Sequence, residues 1–228
     1  MGQSGGPKIP LDNIYSYTDS LNKISYSGTG NTLSCLFKIF NYSYVNNPTV
    51  TQILKNITLA LNGSTQYGAS SSNIGSLASN ASKTLSCWVY LNSTANQSIV
   101  SFGNNSSGNT CFELALTGGN FIFRTGPGYT YTLSAAAIST WYHFAIAYNT
   151  TFVIFGNYSF YINGVLYSTA TGGPNAAVNT TISIGDPVDP ANFGTLNGSV
   201  NQLMTYTAKL SANEIAQIYA AQKGRYGL

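Results

Sequence analysis

From Trp141 to Thr169 the chain reads W-Y-H-F-A-I-A-Y-N-T-T-F-V-I-F-G-N-Y-S-F-Y-I-N-G-V-L-Y-S-T. Between Trp141 and Tyr148 nearly every side chain is aromatic or aliphatic, which is the composition of a strand covered on both faces. From Tyr158 the character alternates. Tyr158, Phe160 and Ile162 fall on one side, and Ser159, Tyr161 and Asn163 on the other, the two-residue period of a strand. Asn163-Gly164 then supplies two neighbours that tolerate positive φ, as a two-residue type I′ turn requires. Val165-Leu166-Tyr167 is the returning strand. A long doubly covered strand followed by a tight hairpin commits the chain to layered antiparallel β-structure.

The rest of the sequence extends this pattern. Leu85, Cys87, Val89 and Leu91 form the aliphatic side of one strand, while Trp88 and Tyr90 face the other way, so that face is covered too. Phe112–Leu116 and Phe121–Arg124 flank Gly118-Gly119-Asn120 as a hairpin, and Tyr129–Leu133 adds a strand. Ile57–Leu61, Ser98–Gly103, Thr181–Gly185 and Ser199–Tyr206 read as further strands, and residues 68–83 as a long polar connection. Only the end is helical. Ser211 and Glu214 make a capping box, and Ile215, Ile218 and Tyr219 make one apolar stripe ending near Gly224. A sequence of 228 residues is long enough for one large β-sandwich with a full core. Residues 1–10 are rich in Gly and Pro and read as a flexible arm ahead of a domain at 11–228.

Composition limits the partners. Charged residues are 7% of the chain, against a usual value of about a quarter. A surface built from Ser, Thr, Asn and Tyr suits packing against other subunits or binding neutral glycans, because little charge has to be desolvated. The lysines are scattered, with no basic stripe for nucleic acid. No apolar run is long enough to insert in a membrane, and no basic-then-apolar leader opens the chain. Three cysteines, Cys35, Cys87 and Cys111, allow at most one internal disulfide, and Cys87 lies in an apolar strand pattern as a buried thiol.

An ordered set of segments then narrows the family. T-L-S-C-W-V-Y (84–90), S-I-V-S-F-G (98–103), W-Y-H-F-A-I-A-Y (141–148), F-Y-I-N-G-V-L (160–166), I-S-I-G (182–185), F-G-T-L-N-G-S-V (193–200) and L-S-A-N-E-I (210–215) follow one another as in a laminin-G-like domain. The chain resembles the concanavalin A-like lectin/glucanase superfamily. The resemblance implies an all-β jelly-roll sandwich of two antiparallel sheets with a short C-terminal helix. Y-T-D-S-L-N-K-I-S-Y-S-G-T-G (17–30) and Y-A-A-Q-K-G-R-Y-G-L (219–228) are similar to the start and finish of stand-alone laminin-G-like proteins of phages and large DNA viruses. On that resemblance the expected role is a non-enzymatic virion structural protein, located in the virion, whose partners are other capsid proteins or further copies of itself. The alternative is a lectin-like module that attaches to host glycans.

The resemblance also raises three chemistries. Glucanases need two carboxyl groups about 5–5.5 Å apart if they retain configuration. Glu113 sits in F-E-L-A-L with no second acid expected near it, and the chain has only six acids. His143 is the single histidine and has no nucleophile motif beside it, so it reads as a core residue. Laminin-G-like relatives bind Ca2+ through loop oxygens, and Asp186, Asp189 and Asn192 in D-P-V-D-P-A-N are the candidate ligands. Tyr129 and Tyr131 in G-P-G-Y-T-Y-T are the candidate surface for stacking a glycan. Neither reading requires any other cofactor.

Overall fold

The computed structural model describes residues 8–19, 32–33, 42–53, 56–71, 75–77, 80–105, 110–126, 129–152, 155–172 and 181–228. In chain order its strands are β1 (Ile14–Tyr17), β2 (Thr32–Leu33), β3 (Tyr42–Val45), β4 (Thr49–Ile53), β5 (Asn56–Asn62), β6 (Tyr67–Ser70), β7 (Lys83–Leu91) and β8 (Gln97–Gly103). There follow β9 (Cys111–Thr117), β10 (Asn120–Gly126), β11 (Tyr129–Ala135), β12 (Trp141–Phe152), β13 (Phe155–Ile162), β14 (Val165–Gly172), β15 (Ser183–Ile184) and β16 (Asn197–Tyr206), and then helix α1 (Ala212–Gln222).

These strands form two antiparallel sheets. The first runs β14-β13-β12-β7-β16-β5-β4, with β1 added on β16, and the second runs β11-β10-β9-β8-β15-β6-β3-β2. This is the expected jelly-roll sandwich. The opening hairpin forms as its sequence requires, with φ of 51° at Asn163 and 77° at Gly164 between β13 and β14. Asn163 also ties the turn to β12. Its N–H donates to the His143 carbonyl at 2.8 Å, and its side-chain oxygen accepts the His143 N–H at 3.0 Å.

The core lies between the sheets. Leu85, Cys87, Val89 and Leu91 of β7, Phe144 and Ile146 of β12 and Phe160 of β13 meet Leu114, Leu116, Phe121 and Phe123 of the second sheet. Phe121 and Phe144 touch across the layers, with ring centroids 4.5 Å apart. The outer face of the first sheet is covered as well, which explains why β7 and β12 are apolar on both sides. The α1 residues Ile215 and Ile218 sit on Ala145, Ala147, Met204 and Tyr206. Small alanines on β12 let the helix come close. The capping box forms: the Ser211 N–H donates to the Glu214 carboxylate at 2.7 Å, and the Glu214 N–H donates to the Ser211 hydroxyl. Beyond the helix, Tyr226 stacks on Trp88 at 3.9 Å, and the Trp88 indole N–H donates to Gln222 at 2.6 Å.

The chain ends are joined to each other. Arg225 donates both guanidinium arms to Asp19, at 2.8 and 3.1 Å. Of residues 1–10, expected as a flexible arm, the structure describes residues 8–10. Ile9 packs beside the helix cluster, and the Tyr206 hydroxyl donates to the Pro10 carbonyl. Burying Ile9 offsets the cost of ordering those residues. Residues 1–7 and Cys35 lie outside the described residues. The polar connection expected at 68–83 contains β6 and a 3-10 turn at Gly75–Leu77, because Gly68-Ala69-Ser70 pairs with Tyr42, Ser43 and Tyr44.

Candidate functional site

Among the described residues, two groups of polar side chains on the sheet faces are candidate sites. One is a buried ionic clamp on the outer face of the second sheet. The other is an open cleft on the outer face of the first.

The clamp is built on the β9–β10 hairpin. Register pairs Glu113 with Arg124 on neighbouring strands, so both side chains leave the sheet on the same face. One arm of Arg124 donates to Glu113 at 2.9 Å, and the other donates to Asp189 at 3.0 Å and to Asn105 at 3.2 Å. The guanidinium also lies 4.5 Å from the Phe193 ring centroid, a cation–π contact. Glu113 is wholly buried, and burial pushes its carboxyl up from the ordinary range while Arg124 pulls it back. The Asn192 amide, together with Arg124, holds the Asp189 carboxyl low.

This geometry corrects two expectations. Glu113 does have a second acid near it, because the 186–196 loop folds over the sheet and carries Asp189 to the same guanidinium. The calcium reading of Asp186, Asp189 and Asn192 does not fit. Calcium takes about six to eight oxygens, yet one Asp189 oxygen accepts from two nitrogens, and Asn192 turns its amide nitrogen toward it at 3.0 Å. The positive charge facing Asp189 is the protein's own. Asp186 contributes a backbone carbonyl, which accepts the Ser101 hydroxyl at 2.9 Å.

The tyrosine pair separates. Tyr129, at the start of β11, is 42% exposed. Tyr131 is turned into the seam where the edges β11 and β14 meet. Its ring lies 5.6 Å from those of both Tyr158 and Phe160, and its hydroxyl fills the space where Gly172 would carry a Cβ. Tyr131 therefore packs at this seam, apart from the exposed Tyr129. His143 is fully buried beneath Trp88 and Tyr219. It shares a hydrogen bond of 2.9 Å with Ser86 through Nε2, and burial pushes its pKa down to about 3.

The cleft has a volume of about 340 Å³ and is lined by Asn157, Tyr158 and Ser159 of β13, Thr169, Ala170 and Thr171 of β14, and Lys209. Its floor depends on a register shift. A regular hairpin from the Asn163-Gly164 turn pairs Asn157 with Ala170 and turns Thr169 and Thr171 toward the core. A bulge at Tyr167 moves the register by one. Ser159 then pairs with Thr169, Asn157 with Thr171, and Tyr158 with Ala170. Both threonines thus join Asn157 and Ser159 on the outer face, and the Thr171 hydroxyl donates to the Asn157 side-chain oxygen at 3.1 Å. Lys209 is held at the wall by its own backbone. The Thr84 hydroxyl donates to the Ala208 carbonyl at 2.8 Å and accepts the Leu210 N–H at 2.9 Å, fixing the chain on both sides of the lysine. Sequence reading placed Tyr158 and Ser159 on opposite sides of a strand and marked none of the cleft residues as a site. Nothing local marks the bulge.

A two-sheet jelly roll with a polar cleft on one sheet and a buried clamp on the other has the architecture of a lectin-like sandwich. The family model Laminin_G_3, described as the concanavalin A-like lectin/glucanases superfamily, matches residues 62–216, and the chain belongs to this family. No curated protein matches the sequence. Among solved structures, Trypanosoma rangeli sialidase in complex with 2,3-difluorosialic acid superposes with a TM-score of 0.72 at 14% identity, covering 99% of this chain and 35% of that one. A botulinum neurotoxin type C structure, concerning cell entry dependent upon two ganglioside molecules, gives 0.64 at 14% identity, covering 91% and 51%. The binding domain of botulinum neurotoxin DC in complex with SialylT gives the same values. The chain thus spans about a third of the sialidase and half of the toxin chains, and at these identities the likeness is one of fold.

Proposed function

We propose that this protein is a non-catalytic, lectin-like glycan-binding module. The observation that carries the reading is the cleft over β13 and β14. Its floor is a row of short amide and hydroxyl side chains on a sheet, with Lys209 held at one wall. Sugars offer closely spaced hydroxyls, and short polar groups on rigid strands meet them with paired donors and acceptors at small entropic cost. The fold likeness to a ganglioside-dependent toxin and to a sialidase agrees with a carbohydrate partner. The clamp supports the non-catalytic half of the reading. Its two acids share one guanidinium, and Glu113 is closed off from solvent. A glycan array on the purified protein tests the proposal. Binding to a defined set of glycans is expected, undiminished by EDTA and lost in the Asn157→Ala/Thr171→Val double variant at unchanged melting temperature. Absence of binding across the array refutes it.

A second reading places the chain in a virion as a structural protein, packed against capsid neighbours or further copies. The supporting observation is the edge strand β14, which exposes Val165, Leu166 and Tyr167 in succession and bears no charge or proline to discourage pairing. Electron cryomicroscopy and mass spectrometry of purified virions test it: stoichiometric copies wedged between capsid proteins support the structural role, and absence from particles ends it.

A further inference from the structure

We infer that the cleft over β13 and β14 selects glycans bearing a carboxylate, with Lys209 as the residue that reads the acid; this rests on the glycan-binding proposal. Every acid of the chain lies among the described residues, and four of the six are committed elsewhere. Glu113 and Asp189 hold Arg124, Asp19 holds Arg225, and Glu214 caps the helix. Among the described residues Lys209 makes no ion pair, although it is half-buried.

A half-buried lysine without an ion-pair partner, lining a polar cleft, favours an anionic occupant, because partial desolvation strengthens the attraction relative to bulk water. The site is also prearranged. The Thr84 hydroxyl pins the backbone on both sides of Lys209, so little backbone freedom is lost on binding. Asn157, which lines the same cleft, has its side-chain oxygen engaged by Thr171, which leaves its amide N–H groups to donate. An ammonium and an amide facing one cleft are both donors, the complement of a carboxylate flanked by hydroxyls. A sugar acid carries both groups in one ring. A neutral sugar leaves the ammonium without a counter-charge.

The test is calorimetric titration of the full chain with matched pairs of probes: lactose against 3′-sialyllactose, and maltotriose against trigalacturonate. The expected result is tighter binding of at least one acidic member. That preference falls about five- to tenfold in Lys209→Gln and is retained in Lys209→Arg. Raising the salt weakens the acidic member and leaves the neutral one unchanged. Lys209 packs no core, so both variants fold, which circular dichroism checks. Preference for the sialylated probe alone, or for the galacturonate alone, supports the inference and tells the two sources apart. Equal binding of acidic and neutral members, or a preference untouched by Lys209→Gln, overturns the inference while leaving the glycan-binding proposal standing. No binding of any probe, together with a blank array, overturns both.

Discussion

Replacing Arg124 by Met tests the clamp most directly. The substitution keeps much of the side-chain volume over Phe193 but removes the charge that Glu113 and Asp189 share. Glu113 is fully buried, so the variant must either keep an uncompensated carboxylate in the interior or protonate it. Breaking a buried ion pair from one side costs about 3–5 kcal/mol. At about 2–4 °C per kcal/mol for a chain of this size, the melting temperature falls by roughly 6–20 °C at pH 8. The sign of the pH dependence follows from Glu113. Its folded-state pKa is already raised by burial, and loss of Arg124 raises it further. A carboxyl whose folded pKa lies above its unfolded value destabilises as pH rises through that window. The deficit of Arg124→Met is therefore smaller at pH 5 than at pH 8. Glu113→Gln added to Arg124→Met removes most of this pH dependence. Urea denaturation followed by circular dichroism at the two pH values is the assay. A deficit below about 0.5 kcal/mol at pH 8, the range of ordinary surface substitutions, or one independent of pH, refutes the argument.

Two further perturbations probe the frame around the sites. Lys83 points into the end of the core over the rings of Phe102 and Tyr148, and burial pushes its pKa down to about 7 from an unfolded value near 10.5. The unfolded chain binds more protons between those values, so wild-type stability rises from pH 7 toward pH 9.5. Lys83→Met is the more stable protein at pH 6 by up to about 4 kcal/mol, with the gap closing as pH rises; thermal melts of both proteins across that range check it. Gly164→Ala places a Cβ at a φ of 77° and 2.8 Å from the Cβ of Tyr219, so it loosens the hairpin from the helix. A loss of about 1–3 kcal/mol in chemical denaturation is expected.

The sandwich, its hairpin and its terminal helix follow from local rules. Asn163-Gly164 can adopt two positive φ values, β7 and β12 are apolar on both faces, and Ser211 and Glu214 cap a short amphipathic turn. Each of these signals acts between neighbours in the chain, so the sequence alone carries it. The candidate sites do not work that way. Asp189 shares Arg124 with Glu113 only because a loop closes over the second sheet, and Lys209 lines the cleft with Asn157 because Thr84 on β7 anchors the residues around the lysine. The bulge at Tyr167 decides the most. Extended regularly, the hairpin would turn Thr169 and Thr171 toward the core; shifted by one residue, it turns Ser168 and Ala170 to that side and both threonines outward. A single residue reverses the face of every side chain after it, because the strand period is two. Which register wins depends on how Tyr158, Phe160 and Tyr131 pack in the core, and that packing exists only once the two sheets have met.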